Sequence, residues 1–147
     1  MKKLLSIITV SLIFSAITGY ADDKFIDFSA LPQTAQQFAS ANFKDKKVVV
    51  VKQDRSFLGA ITDGYDIVYS DGTEIEFDSD GVWKEISAKT SAVPNPIIPE
   101  AILNYIRDNF KSSPVIQIEK KEYGYKIELA TKQELKFSKQ FVFLGLD

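Results

Sequence analysis

Carboxylates are the only abundant groups in this 147-residue chain with which acid–base or metal chemistry could be built. There is no His and no Cys. Neither a Ser-His-Asp triad nor a Cys-His pair can therefore be assembled, and the commonest zinc ligands are missing. Glu74, Glu76 and Asp78 alternate along one short run, EIEFD, which on a strand sets them on one face about 7 Å apart from neighbour to neighbour. A glycosidase acid and base can stand at such a separation, but they also need a substrate cleft, of which a domain this small gives no sign. The simpler reading is a solvated sheet face. Asp78-Ser79-Asp80-Gly81 begins like a calcium loop, yet an EF-hand continues to a bidentate Glu at its twelfth position, between two helices. Here the twelfth residue is Lys89, and strands flank the loop. A hairpin turn is preferred, with Asp78 and Asp80 as the weak metal candidates. Trp83, the only tryptophan, has two readings: an aromatic anchor on a binding face, or a core residue matched by Phe143 further along, which is preferred. Glu74, Glu76, Lys84, Glu128 and Lys136 form a mixed-charge face, and a partner would engage the protein there. No catalytic residue and no cofactor is expected.

The elements that must position these groups centre on residues 64–86, GYDIVYSDGTEIEFDSDGVWKEI. Three strand-like runs are separated by Asp71-Gly72 and Asp80-Gly81, a pattern that predicts two type I′ hairpin turns and an antiparallel meander. Upstream, Pro32 is suited to a first helical position, and Ala35, Phe38, Ala39 and Phe43 follow at helical spacing, predicting a helix over residues 32–43. Four valines at 48–51 predict a strand. Residues 56–63 read as a loop around Gly59, and residues 87–96, with two prolines, as a linker.

The pattern then starts again. Ile98-Pro99, Ile102, Tyr105 and Asn109-Phe110 match Leu31-Pro32, Ala35, Phe38 and Asn42-Phe43, all 67 residues apart. Gly124-Tyr125, Glu134-Leu135-Lys136-Phe137 and Val142-Phe143 match Gly64-Tyr65, Glu74-Ile75-Glu76-Phe77 and Val82-Trp83, 60 residues apart. Two repeats, residues 31–86 and 98–146, are expected, each a helix and four strands. The second copy has Thr131-Lys132 and Lys139-Gln140 in place of Asp-Gly, which predicts looser or longer turns. Ile75, Phe77, Leu135 and Phe137 alternate with charged neighbours, so one sheet face is apolar and the other largely charged. An α+β fold follows: one antiparallel sheet of up to eight strands with helices packed on one face, in two layers.

Residues 1–21 have the form of a signal peptide. Lys2-Lys3 precedes a 14-residue apolar run at 4–17, and Gly19-Tyr20-Ala21 offers a cleavage site. The run is too short for a stable membrane span, so the expectation is a single periplasmic domain over residues 22–147, with secretion as the alternative. Loss of Lys2 and Lys3 with the leader takes the net charge from −2 to −4. The interspersed charges offer neither a nucleic-acid stripe nor a polybasic membrane patch. Without Cys there is neither the acylation site of a lipoprotein nor a disulfide.

With LPQTAQQFASANF ahead of YSDGTEIEFDSDGVWKEI, and IPEAILNYIRDNF ahead of GYKIELATKQELKF, the chain resembles the PepSY-like family of small exported bacterial proteins. That resemblance implies a fold similar to β-lactamase inhibitory protein, a tandem α/β repeat whose sheet face grips an enzyme, and an association with inhibiting or regulating peptidases. The expected function is a non-enzymatic periplasmic binding or inhibitor-like module with a protein partner, a peptidase being the class the resemblance implies. The alternative is a small-ligand or cation-binding envelope protein that uses its acidic turns.

Overall fold

Short alternating runs rich in β-branched and aromatic residues favour extended backbone, and in the computed structural model they form nine strands. The structure describes residues 23–56 and 59–147, so the leader expected over residues 1–21 lies outside the described residues. The strands are β1 (Lys24–Phe25), β2 (Val48–Ser56), β3 (Ile61–Tyr69), β4 (Glu74–Asp78), β5 (Trp83–Ser87), β6 (Val115–Lys121), β7 (Gly124–Leu129), β8 (Glu134–Ser138) and β9 (Phe143–Leu146). Helix α1 (Gln33–Asn42) joins β1 to β2, and α2 (Glu100–Asn109) joins β5 to β6. The nine strands make one antiparallel sheet whose spatial order is the sequence order.

Several expectations need correction. The ninth strand is β1, from a stretch without apolar alternation; Lys24 and Phe25 pair with Gln53 and Lys52 along the edge of β2. Residues 56–63 are not simply a loop: β2 runs through Ser56 and β3 begins at Ile61, with a register shift between Asp54 and Arg55. The stretch at 87–96 is not a free linker either. Ala88 and Val93 are buried, and their N–H groups donate to the carbonyls of Ile116 and Val115 at 2.7 and 2.8 Å. Pro32 and Pro99 sit one residue ahead of their helices, with ψ of 142° and 133°. Their carbonyls still accept helical N–H groups, from Gln36 at 3.1 Å and from Ile102 at 3.0 Å.

The turns differ from expectation in mechanism. Tyr69 N–H donates to the Thr73 carbonyl, and Gly72 N–H to that of Tyr69. Three residues therefore form the loop, and only the last, Gly72, has positive φ, at 82°. This is the three-residue hairpin with a left-handed closing residue rather than type I′. Ser79-Asp80-Gly81 repeats it, with Gly81 at φ 80°. In the second half the same loops close around Lys132 and Phe141, at φ 70° and 64°. Those turns are neither looser nor longer; non-glycine residues occupy the left-handed position.

One core cluster draws on both helices and the sheet. Ala35 and Ala39 of α1 and Ile102 and Ile106 of α2 join Ile67, Ile75, Phe77, Ile86, Ile118, Ile127, Leu135 and Phe137. Burial of each large apolar side chain contributes about 1.5–3 kcal/mol. Aromatic rings finish the helix–sheet contact: Phe38 meets Phe77 edge-on at 6.0 Å, and Tyr105 meets Phe137 edge-on at 5.5 Å.

Candidate interface on the charged sheet face

Because side chains alternate along each strand, fixing the core residues sends their neighbours to the opposite face. Register then decides which of those neighbours meet. Lys52 lies opposite Asp66, Asp66 opposite Glu76, and Glu76 opposite Glu85. The row continues across the joint between the halves: Glu85 faces Glu119, Glu119 faces Lys126, and Lys126 faces Lys136. Seven strands thus carry one line of charged residues, with four consecutive carboxylates followed by two ammonium groups.

Its two ends carry ion pairs, and Glu76 and Glu85 at its centre carry none among the described residues. Lys52 Nζ lies 3.1 Å from Asp66. Lys126 bridges Glu134 at 3.0 Å and Asp147 at 3.1 Å, and Lys136 reaches Asp147 at 2.6 Å. Glu119 pairs with Lys121, and Glu85 accepts a hydrogen bond from Gln117. Glu76 makes no ion pair among the described residues. It remains open to water as a residue, but loss of water around its carboxyl, then the charges of Glu85 and Asp66, push its pKa up to about 7. Desolvation and the charge of Glu119 raise Glu85, and desolvation followed by Asp66 raises Asp54. A cationic group placed over this row would relieve all three.

Of the residues singled out from sequence, Glu74, Glu76, Lys84, Glu128 and Lys136 do share this face. Glu74 and Glu128 lie in the neighbouring line, opposite Ser87 and Gln117, and Glu128 pairs with Lys132 at 3.4 Å. Lys84 is the extra residue of a bulge between the Glu76–Glu85 and Phe77–Trp83 pairs; its charge acts on both Glu76 and Asp54. Trp83 is not with them. The bulge returns it to the helix side, where it stacks on Phe38 at 6.2 Å and 27°. Lys120 Nζ stands 3.8 Å over its ring. Asp78 is occupied by its own turn: its Oδ1 accepts the N–H groups of Asp80 at 3.0 Å and Val82 at 2.9 Å. Among the described residues no group of three acidic side chains is arranged to hold a metal ion.

Asp66, Glu85 and Glu119 were missed as site residues. Asp66 and Glu119 alternate with apolar neighbours, but Glu85 turns outward only through the bulge at Lys84, and the alignment of all three depends on turn lengths and on the β5–β6 pairing, which no local pattern encodes.

The family model described as "Putative beta-lactamase-inhibitor-like, PepSY-like" matches residues 63–145, from β3 into β9. The chain belongs to the PepSY-like family. Solved structures similar to this chain share its fold over nearly their whole length. A Bacteroides thetaiotaomicron protein described as a "putative calcium-regulated periplasmic protein" is 36% identical, with a TM-score of 0.80 over 86% of this chain and 97% of that one. A "putative periplasmic protein" of the DUF2874 family from Bacteroides vulgatus is also 36% identical, with a TM-score of 0.79 over 88% and 99%. A second Bacteroides vulgatus protein, described as a "putative periplasmic protein of unknown function", is 32% identical, with a TM-score of 0.77 over 85% and 98%. No curated protein matches the chain.

Proposed function

We propose that this PepSY-like protein is exported by the leader at residues 1–21 and works in the periplasm as a non-catalytic, inhibitor-like binding module. Its protein partner rests on the charged face of the sheet, with a basic group over Asp66, Glu76, Glu85 and Glu119 and an acidic one toward Lys126 and Lys136. The observation that carries this reading is the row itself. Like charges directly opposite one another destabilise a sheet, and a row that keeps four carboxylates in line gives up stability that a cationic partner would return. The periplasmic descriptions of the relatives support the compartment, and the inhibitor-like family description supports the class. A peptidase is the partner type in view.

We infer further that the sheet is two copies of one helix–four-strand unit, residues 31–86 and 98–146, with the helices as a second layer. The equal ten-residue lengths of α1 and α2 support this. So do the bulges recurring between Val48 and Val50 and between Val115 and Gln117. Copies with opposite signs at Asp66 and Lys126, and at Glu76 and Lys136, would make the face bipolar and so orient its partner.

The test is capture from periplasmic extract with the exported chain, comparing wild type with Glu76→Lys and Glu85→Lys. Retention of one protein by wild type and its loss in both charge reversals, with the fold intact, is expected. Equal capture by all three refutes the face. A second reading, calcium binding, draws on the calcium-regulated description of one relative. It predicts a calcium-dependent rise in melting temperature abolished by Asp80→Ala.

A further inference from the structure

β9 meets β8 as β5 meets β4. Trp83 lies opposite Phe77, a one-residue bulge follows, and then Glu85 lies opposite Glu76 and Ile86 opposite Ile75. Phe143 lies opposite Phe137, the bulge recurs, and Gly145 lies opposite Lys136 and Leu146 opposite Leu135. The outer edge of β5 is covered: β6 sets Ile118 against Ile86 and Glu119 against Glu85, and Ile86 is 0% exposed. The outer edge of β9 has no strand on it among the described residues. Leu146, which stands where Ile86 does, is 58% exposed, and Val142 and Leu144 are 60% and 55% exposed beside it. Asp147 N–H donates to the Glu134 carbonyl at 3.0 Å. Alternation in an antiparallel ladder then turns the N–H and C=O of Leu146 toward the open edge.

A strand laid on this edge in the register of β6 on β5 would bring an apolar residue beside Leu146 and the following residue beside Gly145. Gly145 has no side chain, so that second residue looks across it to Lys136 on β8 and Lys126 on β7, with Asp147, two residues beyond Gly145, beside it. A carboxylate there would face two ammonium groups that share Asp147 as partner. This chemistry separates the possible occupants. A second copy offering β2 in the place of β6 would set Val51-Lys52 where Ile118-Glu119 would lie, driving Lys52 against Lys126 and Lys136. The edge of β2 is also already held by β1.

We propose that the free edge of β9 is a strand-addition site for an extended segment of a partner protein in which an apolar residue is followed by an acidic one. Main-chain hydrogen bonds supply the attraction, and the Leu146 surface and the Lys126–Lys136 pair select the segment. The site shares Lys126 and Lys136 with the charged face but needs none of its four carboxylates.

The chain supplies its own probe: a capped peptide VIQIEKK, the sequence of β6, titrated into the isotope-labelled exported chain and followed by amide NMR. Saturable shifts confined to β8 and β9 are expected, with a Kd below about 1 mM and at least tenfold slower exchange of the Leu146 amide. The Glu119→Lys peptide is expected to bind at least tenfold more weakly, and the Leu146→Lys protein to bind neither. Absence of binding, equal binding of both peptides, or shifts at β5 through displacement of β6 each overturn the proposal. Sedimentation showing a dimer without peptide, broken by Leu146→Lys, also overturns it by giving the edge to a second copy.

Discussion

Glu76 on β4 and Glu85 on β5 stand directly opposite each other, and neither takes an ion pair among the described residues. A carboxyl whose pKa is higher folded than unfolded holds its proton more tightly in the fold. Its contribution to stability is therefore complete below the ordinary value of 4.5 and is lost as pH rises through about 7. The protein is expected to lose stability between pH 5 and 8. Glu76→Gln should flatten that slope and gain about 1 kcal/mol at pH 8, well short of the full linkage value because the carboxyl keeps solvent access. Urea denaturation across that pH range measures both.

The two Asp-Gly turns share a backbone conformation but not their surroundings. A Cβ on Gly72 meets nothing within 4 Å, whereas one on Gly81 would lie 2.8 Å from Pro32 Cβ and 3.1 Å from the Ala35 nitrogen. Gly72→Ala should therefore cost only left-handed backbone strain, about 1 kcal/mol. Gly81→Ala must also push α1 off the sheet and should cost at least about 2 kcal/mol. Chemical denaturation of the pair distinguishes the two contributions.

The converse substitution should help. Lys132 holds φ 70° where the first half has Gly72, and its ion pair with Glu128 is exposed and worth little. Lys132→Gly is expected to stabilise by about 0.5–1 kcal/mol, read as an increase in the denaturation midpoint without a change in slope. Phe141, at φ 64°, should gain less from the same change, because its ring packs on Tyr125 at 5.6 Å.

The α+β class, both helices and the charged face could be read from the chain because each has a local period. Ile75 and Phe77 against Glu74 and Glu76 is a signal carried within five residues. What escaped needs partners distant in sequence. β1 is defined only by its contact with Gln53 and Lys52, and the four-carboxylate row only by the meeting of Glu85 with Glu119. Gly64 and Gly124 were recognised as a matched pair, but the reason lies across the ladder: a Cβ would fall 2.3 Å from the Phe77 carbonyl oxygen or 2.2 Å from that of Phe137. Trp83 was ambiguous because the bulge at Lys84, invisible in the sequence, decides its side.

Trp83 gives the chain an internal reporter. Its stacking on Phe38 and the Lys120 ammonium over its ring predict that Lys120→Ala costs about 0.5–1 kcal/mol and changes the emission of the single tryptophan. Trp83→Ala should cost about 3 kcal/mol through lost packing. Partner binding by the charged face should survive Trp83→Phe, checked by the same capture experiment.

A sheet whose strands lie side by side in the order of synthesis also fixes how the chain can find its fold. Most pairings close through a short turn, so β2 to β5 and β6 to β9 can each zip up quickly and without waiting for the other. Only β1 on β2 and β6 on β5 require long excursions to be closed. The three residue pairs joining β5 to β6 thus belong, with β1 on β2, to the late steps, and the four carboxylates come into line only once β6 has docked.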